Sequence, residues 1–466
     1  MRKASFATLF SVLLLTASLF GAVAKAEVTL MDKDGWRFYS SGFIETDVIN
    51  DSVRSFREVV GNTPIDQGNA SNGNGANGRT QLSIRNSRLA FGAEAPVVND
   101  WKSKGYFEFD LLGYDPSPAT SSTATSASEG GFYTNPTTRI RHVYLQAESA
   151  EGWQVTAGQT WQLLGWQGNY FLTSVDVAPL PGMLYGRTEQ VRLMKTAKLS
   201  DDNSLQMAVA VLRPPQSDAI YPDIQAGVRA AFGGRKSGYT GGSGAGTRKL
   251  TPMSLGVSGA YRQFSVPDGS GTVGSESKFS GYALAVDAFI PILAGTDDVT
   301  GTLSLVAEYS EGQGYGDQFS GWTGGTGSPL AAASKGPASA QTIKPNLDGG
   351  IGDYISSTTF ELINLQSMNA HLQYHLPNHI PDWVDVGYCQ LVSFNMDNFN
   401  TSGLASGGKA LYNKTSSMFA NYFHEFTPQI RAGLEYAQLQ TNYASDLGNG
   451  SYGVDRRWQL SGYFVF

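Results

Sequence analysis

The residues with the most chemical potential in this sequence are arginines that alternate with apolar side chains. Arg192 lies between Val191 and Leu193, and Arg229 follows Val228. Successive side chains of a β-strand point to opposite faces, so such an arginine lies on the face opposite the apolar residues. Basic side chains arranged around a water-filled pore favour anions. The spacing therefore predicts a basic wall inside a β-barrel, although each arginine alone could equally be an ordinary solvated or interface residue.

Acidic residues occupy the same kind of position in another segment, where Glu108 and Asp110 alternate with phenylalanines. Facing the basic wall, they predict a transverse electric field rather than a purely positive pore. The facing of the arginines at 85, 88, 139 and 141 is ambiguous. In the first of their segments, the apolar positions change parity between Ile84 and Leu89, which indicates a β-bulge. The candidate pore-lining residues are Arg88, Arg139, Arg141, Arg187, Arg192, Arg229, Glu108 and Asp110.

Catalysis and metal binding find little support. The chain has five histidines, and no G-x-S-x-G motif lies on a strand-to-helix turn. His371, His375 and His379 are four residues apart, but Pro377 interrupts any helix there. As a strand, the first two would lie about 13 Å apart. We therefore predict no enzyme activity, no cofactor and no metal site, and we read these histidines as a polar rim at the periplasmic end.

Segments of alternating polar and apolar residues recur along the chain and are separated by turn-rich sequence. Sixteen are predicted as strands: 36–49, 79–95, 101–114, 138–149, 152–161, 187–199, 203–213, 224–233, 250–264, 277–291, 299–312, 358–376, 383–396, 411–426, 428–442 and 452–466. The connections alternate between long and short, as extracellular loops and periplasmic turns do. The fold class is therefore all-β, a transmembrane antiparallel barrel of sixteen strands. Residues 233–249 should form a short turn but are long, so either this turn is elaborated or the strand count is off by two.

The third long connection, residues 162–186, is aromatic and apolar where the others are rich in Gly and Ser. Such a loop should not project into water. A barrel of sixteen strands encloses an aqueous channel, and a loop folded inward narrows it. We predict an inward-folded constriction loop; packing on a neighbouring subunit or on the barrel rim is the alternative. Its candidate residues are Trp166, Tyr170, Phe171, Asp176 and Tyr185.

Both ends of the chain point to export. A short basic region, an uncharged apolar run and an Ala-Lys-Ala site predict a signal peptide over 1–26, with a retained membrane anchor as the alternative. Residues 27–35 would then be a short periplasmic segment and 36–466 the barrel domain. Loss of three basic residues and no acids would change the formal charge from -7 to -10, which argues against nucleic acid as a partner. The single cysteine, Cys389, allows no intramolecular disulfide.

The last segment, VDRRWQLSGYFVF, alternates to its end. Trp458, Phe464 and Phe466 share one face, opposite Arg457 and Gln459. A soluble protein would avoid so long an apolar edge. An aromatic final strand of this kind is similar to the signal that the barrel-assembly machinery reads in outer-membrane proteins. The pattern predicts an outer-membrane location, with outer-membrane lipid and lipopolysaccharide around the barrel.

The runs SRLAFGAE (87–94), KGYFEFDLLG (104–113), RIRHVYLQ (139–146), AGQTW (157–161) and LPGMLYGRTEQVRL (180–193) resemble the DcaP-like porins. The likeness covers about 36–230; RIRH and GQTW patterns also occur in other porin groups. It implies a trimeric diffusion channel that favours small negatively charged solutes such as dicarboxylates. The matching basic positions are Arg88, Arg139, Arg141, Arg187 and Arg192. Some members carry a helical periplasmic extension, for which 27–35 is too short.

These observations together predict an outer-membrane porin for passive diffusion of small hydrophilic solutes, with a preference for anions. Three alternatives stay open at this point. The barrel could be a phosphate-selective porin, a general-solute porin, or a non-conducting structural or adhesive barrel whose long loops bind a partner.

Overall fold

The structure is a computed structural model, and it describes residues 27–54, 64–69, 75–113, 137–176, 180–268, 274–324, 346–355, 359–377, 381–399, 411–444 and 450–466. The predicted signal peptide, 1–26, lies outside these residues. The strands are β1 (Val28–Lys33), β2 (Trp36–Asp51), β3 (Arg79–Ser83), β4 (Arg88–Glu94), β5 (Trp101–Asp110), β6 (Arg139–Ser149), β7 (Trp153–Trp161), β8 (Arg187–Lys198), β9 (Asn203–Leu212), β10 (Asp223–Tyr239), β11 (Lys249–Pro267), β12 (Glu276–Leu293), β13 (Leu303–Gln313), β14 (Gly352–Tyr354), β15 (Phe360–Leu362), β16 (Asn364–His375), β17 (Asp382–Ser393), β18 (Tyr412–Glu425), β19 (Ile430–Tyr443) and β20 (Tyr452–Val465). Three short 3-10 helices span Leu164–Trp166, Gly316–Gln318 and Met396–Phe399.

Within the described part of the chain, one antiparallel sheet of eighteen strands closes on itself, and β14 and β15 form a separate hairpin. Closure occurs at β2, which pairs with β3 and β4 on one side and with β20 on the other. At the seam, Phe466 and Gly42 exchange two backbone hydrogen bonds of 3.0 and 2.8 Å. Closure leaves no barrel edge unpaired.

The barrel has sixteen strands when β3 and β4 are counted as one interrupted strand and β1 is set aside. This confirms the predicted fold class. The short strand β1, which pairs with the start of β2, was not predicted from the sequence. The ambiguity over 233–249 is also resolved: β10 runs on to Tyr239 and β11 begins at Lys249, so the turn is elaborated and the strand count stands.

The interruption between β3 and β4 is the predicted bulge. Asp47 of β2 pairs with Ser83, whereas Phe43 pairs with Arg88, so one strand has an extra residue between these pairs. The apolar parity changes across it, because Leu82 is 72% exposed on the outside and Phe91 is 43% exposed. Arg85 and Asn86 are consecutive and both buried as a result. A bulge re-aims side chains in this way.

A second bulge lies in β6. Glu108 pairs with His142, while Phe109 pairs with Ile140, which leaves Arg141 without an opposite residue in β5. Both Arg141 and His142 are buried, although they are adjacent in sequence. Arg141 therefore lies on the inner face of the barrel, which strict alternation left ambiguous.

Elsewhere the strands alternate between an apolar outer face and a polar or small-residue inner face. In β12, Tyr282, Leu284 and Val286 are exposed, whereas Ala285 and Asp287 are buried. In β20, Trp458 and Phe464 are exposed, and the buried residues are Arg457, Gln459, Ser461 and Tyr463. This is the pattern of a barrel surrounded by hydrocarbon. No helix among the described residues is long and apolar enough to cross a membrane.

The two ends of the barrel differ. Tight connections such as 150–152, 199–202 and 426–429 lie at one end, which we call the turn end. The long connections, including 162–186 between β7 and β8 (loop 3), lie at the other, the loop end. The connection between β10 and β11, residues 240–248, belongs to the turn end but is longer than the tight connections there.

Candidate functional site

An ion-pair cluster lies on the inner face of β5 and β6. Arg139 contacts Asp110 with two nitrogens, Nη2–Oδ2 at 2.6 Å and Nε–Oδ1 at 3.0 Å. Arg141 bridges both acids, with Nε 2.5 Å from Glu108 Oε1 and Nη1 2.9 Å from Asp110 Oδ2. Two-pronged contacts of this kind hold the guanidinium groups in fixed positions. The bulge in β6 makes the cluster possible, because it turns Arg141 inward beside these acids.

Two further arginines lie beside the cluster but do not form close ion pairs with its carboxylates. Arg88 of β4 has Nε 4.0 Å from Glu108 Oε1, and Arg187 at the start of β8 stacks over Trp161 at 4.6 Å from the ring centroid. Arg88 Nε and Arg187 Nη1 are buried and have no hydrogen-bond partner among the described residues. Buried guanidinium nitrogens normally have partners. These two are therefore available to an anionic ligand.

Aromatic rings stand beside the arginines. Trp161 contacts Phe171 and Tyr185 edge to face, with both centroid distances 4.8 Å. The Tyr185 hydroxyl accepts a hydrogen bond of 3.3 Å from Arg141 Nη1. Tyr185 lies in loop 3, outside the strands. Burial raises the pKa of its phenol, but Arg141, Arg187 and Arg88 outweigh burial and lower the pKa to about 6.

The charges in this cluster do not cancel. Four guanidinium groups (Arg88, Arg139, Arg141 and Arg187) face two carboxylates (Glu108 and Asp110), which leaves two formal positive charges, or one when Tyr185 is ionised. A cavity of about 260 Å³ opens against the cluster. Its lining includes Arg88, Arg141, Trp161, Phe171, Asp176 and Tyr185, together with Gly241, Gly242, Ser243, Ala245 and Gly246 of the connection at the turn end. A small anion with an apolar part would be complementary to this lining.

Loop 3 is attached first to β10 and β11. Gln225 accepts hydrogen bonds from the backbone N–H groups of Leu163 and Leu164, at 2.8 and 2.9 Å. Further along, the Tyr170 hydroxyl donates to Ser254 Oγ at 3.0 Å. The residues of loop 3 involved are buried. This half of the loop therefore follows the inner face of β10 and β11.

The next part of loop 3 contacts strands on another side of the barrel. Ser174 Oγ donates to Glu435 of β19 at 2.8 Å, and Asp176 pairs with Arg457 of β20 at 3.0 Å. The returning part contacts β13, where the Leu184 N–H donates to Glu308 at 3.2 Å. In the ring of sixteen strands, β10 is the eighth and β19 the fifteenth. The contacts of loop 3 thus join nearly opposite walls.

The structure brings together only part of the predicted site. Arg88, Arg139, Arg141, Arg187, Glu108, Asp110, Phe171, Asp176 and Tyr185 lie in or around the cavity. Arg192 is nearby but donates to Gln190 and to the Trp161 carbonyl. Arg229 instead contacts Tyr170 and Gln206, and Trp166 packs with Tyr170 in an apolar cluster against β9, β10, β12 and β13. These three loop anchors, Arg229, Trp166 and Tyr170, do not line the cavity.

Sequence reasoning missed several residues of the inner wall. Trp161 and His142 line the cavity, and a second cavity of about 780 Å³ nearer the turn end is lined by Arg37, Lys102 and Lys104. Lys102 and Lys104 have the same parity as Glu108 and Asp110 in β5, so strand alternation could have identified them. His142 was hidden by the bulge beside it.

The histidine series forms no site. His371 and His375 are buried in β16, so they are not an exposed polar rim. His379 falls outside the described residues. In the part of the chain that the structure covers, no group of three or more His, Cys, Asp or Glu side chains could hold a metal ion.

A closed antiparallel barrel of sixteen strands, apolar outside and charged inside, has the architecture of the porin class. Among solved structures, the outer membrane channel DcaP of Acinetobacter baumannii is similar, with a TM-score of 0.61 and 16% identity over 94% of this chain and 99% of that one. This likeness bears out the DcaP-like porin fold that the sequence indicated. OprB of Pseudomonas putida is less similar, with a TM-score of 0.49 and 12% identity over 93% of this chain and 94% of that chain.

An anion-selective porin from Comamonas acidovorans has a TM-score of 0.48 and 11% identity over 92% of this chain and all of that one. No family model matches the sequence, and no curated protein does.

Proposed function

We propose that this protein is an outer-membrane porin through which small hydrophilic solutes diffuse passively, with a preference for anions. The observation that carries the proposal is the excess of guanidinium groups over carboxylates in the inner-wall cluster, which borders the cavity through Arg88, Arg141 and Glu108. Basic side chains at a narrow point favour anions, because the low-dielectric wall does not screen them as bulk water does. The barrel's apolar outer face supports the membrane location.

Loop 3 is proposed as the constriction that brings solutes against this wall. Its buried residues join nearly opposite strands, and Phe171, Asp176 and Tyr185 line the cavity that also contains Arg88 and Arg141. A solute must therefore pass between the loop and the arginines. The loop end is then extracellular and the turn end periplasmic, as in barrels of this kind.

The remaining parts of the proposal rest on the sequence. The chain is exported by a signal peptide over 1–26, is inserted by the barrel-assembly machinery and forms a homotrimer, and dicarboxylates are candidate solutes. The DcaP channel that the fold resembles supports a channel of this type. Outer-membrane lipid and lipopolysaccharide would surround the trimer.

Planar-bilayer recording tests the proposal. Under a KCl gradient, the wild-type barrel should conduct, and the sign of its reversal potential should indicate a preference for anions. The double variant Arg88→Gln, Arg187→Gln should move this potential towards cations, because it removes two positive charges and leaves the Arg141 ion pairs intact.

Arg213→Gln is the matched control. It removes one positive charge, half of what the double variant removes, from a side chain that is 71% exposed and paired with Glu189 at the barrel surface, so the reversal potential should hardly move. A wild-type barrel that does not conduct would refute the porin. A conducting barrel that prefers cations would refute the anion preference alone.

A further inference from the structure

The 240–248 connection, which is too long for a turn between neighbouring strands, crosses the barrel. It starts between β10 and β11 but contacts β18 and β19, which lie almost opposite in the ring. Arg431 of β19 donates to the carbonyl groups of Gly244, at 2.9 Å, and Gly246. Arg248 pairs with Glu425 of β18 at 2.7 Å. The Arg431 bonds are charge-assisted, which makes them stronger than neutral hydrogen bonds, and the Arg248 contact is an ion pair.

Inside the barrel this connection meets loop 3. Thr173 and Gly242 form a parallel β-bridge, in which Ser174 N–H donates to Gly242 O and Gly242 N–H to Leu172 O, both at 3.1 Å. Gln373 of β16 holds the two segments together: its Nε2 donates to Thr173 Oγ1 at 3.0 Å, and its Oε1 accepts from Thr240 N–H at 2.8 Å. A segment from each end of the barrel therefore meets near its middle.

The composition of the connection fits this course. Gly242 has φ +80°, which favours glycine, and a Cβ at Gly244 would lie 2.0 Å from a ring carbon of Phe423. Larger residues would keep the segment from approaching the wall. A run that looked like a solvated low-complexity turn is thus suited to close packing.

Five residues of the connection line the same cavity as Arg88, Arg141 and Tyr185: Gly241, Gly242, Ser243, Ala245 and Gly246. We propose that the 240–248 connection is the turn-end wall of the constriction and sets the size limit of the solutes that pass, while the arginines set the charge preference. The inference rests on the proposed porin function. Residues 241–246 are glycine, serine and alanine, so they restrict size without carrying charge.

Two experiments test this. In the first, residues 241–246 are replaced by Asn-Gly, a two-residue hairpin turn. Unit conductance should rise and liposomes should admit larger sugars, while the KCl reversal potential stays unchanged because the arginines remain. Unchanged conductance and an unchanged sugar cutoff in a folded variant would overturn the proposal.

The second experiment leaves the bridge to loop 3 in place. Ser243→Cys, a cavity-lining position, is modified with a bulky, charged thiol reagent during recording. The current should fall by at least half, because the adduct occupies the path. Asp201→Cys, in the exposed 199–202 turn, is the matched control and should show no block. Cys389 is buried, so wild-type protein should not react.

Complete modification of Ser243→Cys, verified by mass, with no loss of current would show that the connection does not line the path. The wild-type conductance separates this failure from failure of the porin function itself. A silent wild type would refute the porin, whereas a conducting wild type with an insensitive Ser243→Cys variant would refute only the role of the connection.

Discussion

Arg457 of the closing strand and Asp176 of loop 3 form a buried ion pair, with Nη1–Oδ1 at 3.0 Å. The same guanidinium group contacts Asp51 of β2, Nε–Oδ1 at 2.7 Å. The seam between the first and last barrel strands is therefore also one anchor of loop 3. One side chain therefore contacts both the seam and the loop of the proposed constriction.

Asp176→Asn should loosen loop 3 without opening the seam, because Arg457 keeps Asp51. Loss of one charged partner from a buried hydrogen bond costs about 1–3 kcal/mol. We expect a lower free energy of unfolding by this amount and a noisier, larger single-channel current, measured by urea unfolding and bilayer recording. Glu189→Gln removes an exposed ion pair with Arg213 and should cost about 0–1 kcal/mol, with no change in current. Equal effects of the two variants would contradict the anchoring role.

This anchor also shows what the sequence could not supply. Asp176 and Arg457 are 281 residues apart, and nothing in either segment indicates the other. Strand alternation placed Arg457 on the inner face, because period two fixes facing wherever apolar residues mark the outside. It could not say which inner residue a loop would reach, since that depends on how the loop crosses the barrel.

The two bulges show a second limit on what was predicted from the sequence. The one between β3 and β4 changed the parity of apolar residues and was visible from the sequence. The one at Arg141 was not predicted, although the exposed apolar residues on either side of it, Ile140 and Val143, also differ in parity. Likewise, β10 was predicted to end near 233 because the following Arg, Lys, Ser and Gly residues are typical of a turn, whereas pairing with β11 extends the strand to Tyr239.

Tyr185 should give the channel a pH dependence. Burial raises the pKa of its phenol, but the arginines lower it to about 6, so the group gains a negative charge as pH rises through that value. Anion preference should therefore be stronger at pH 5 than at about pH 7.5. Reversal potentials across this range test the expectation. Tyr185→Phe should keep the low-pH preference throughout and lose the ultraviolet difference signal of one ionised tyrosine.

The lowered pKa of Tyr185 also determines the direction in which stability changes with pH. A group whose folded-state pKa is depressed stabilises the fold most above its unfolded pKa and loses that contribution as pH falls through the folded value. The wild type should thus lose stability relative to Tyr185→Phe as pH drops from near 10 to near 6. Parallel stability curves for the two proteins would rule out an ionised Tyr185.

A neighbouring pair of glycines tests the packing of the inner wall. A Cβ added at Gly92 would lie 2.1 Å from Tyr39 Cζ, whereas one at Gly105 would meet nothing within 4 Å. The positions are close in the ladder, since Ala93 pairs with Gly105. Gly92→Ala should cost about 1–3 kcal/mol through overpacking. Gly105→Ala should be neutral or slightly stabilising, because it restricts the unfolded chain. The urea unfolding midpoints of the two variants test this expectation. Equal midpoints for Gly92→Ala and Gly105→Ala would mean that Tyr39 can move aside freely.

Phe466 combines two roles that variants can separate. Its backbone closes the seam through two hydrogen bonds with Gly42, and its ring lies 6.1 Å from that of Phe464. If the ring is the assembly signal, Phe466→Ala should lower the yield of folded barrel in outer membranes several-fold, because the backbone bonds remain but the aromatic end is lost. Deletion of Phe466 removes both and should lower it further. Val465→Ala, on the opposite face, is the control and should assemble normally; heat-modifiable gel mobility reports the folded fraction. If Phe466→Ala assembles like Val465→Ala while the deletion does not, seam closure and not the aromatic ring is what assembly requires.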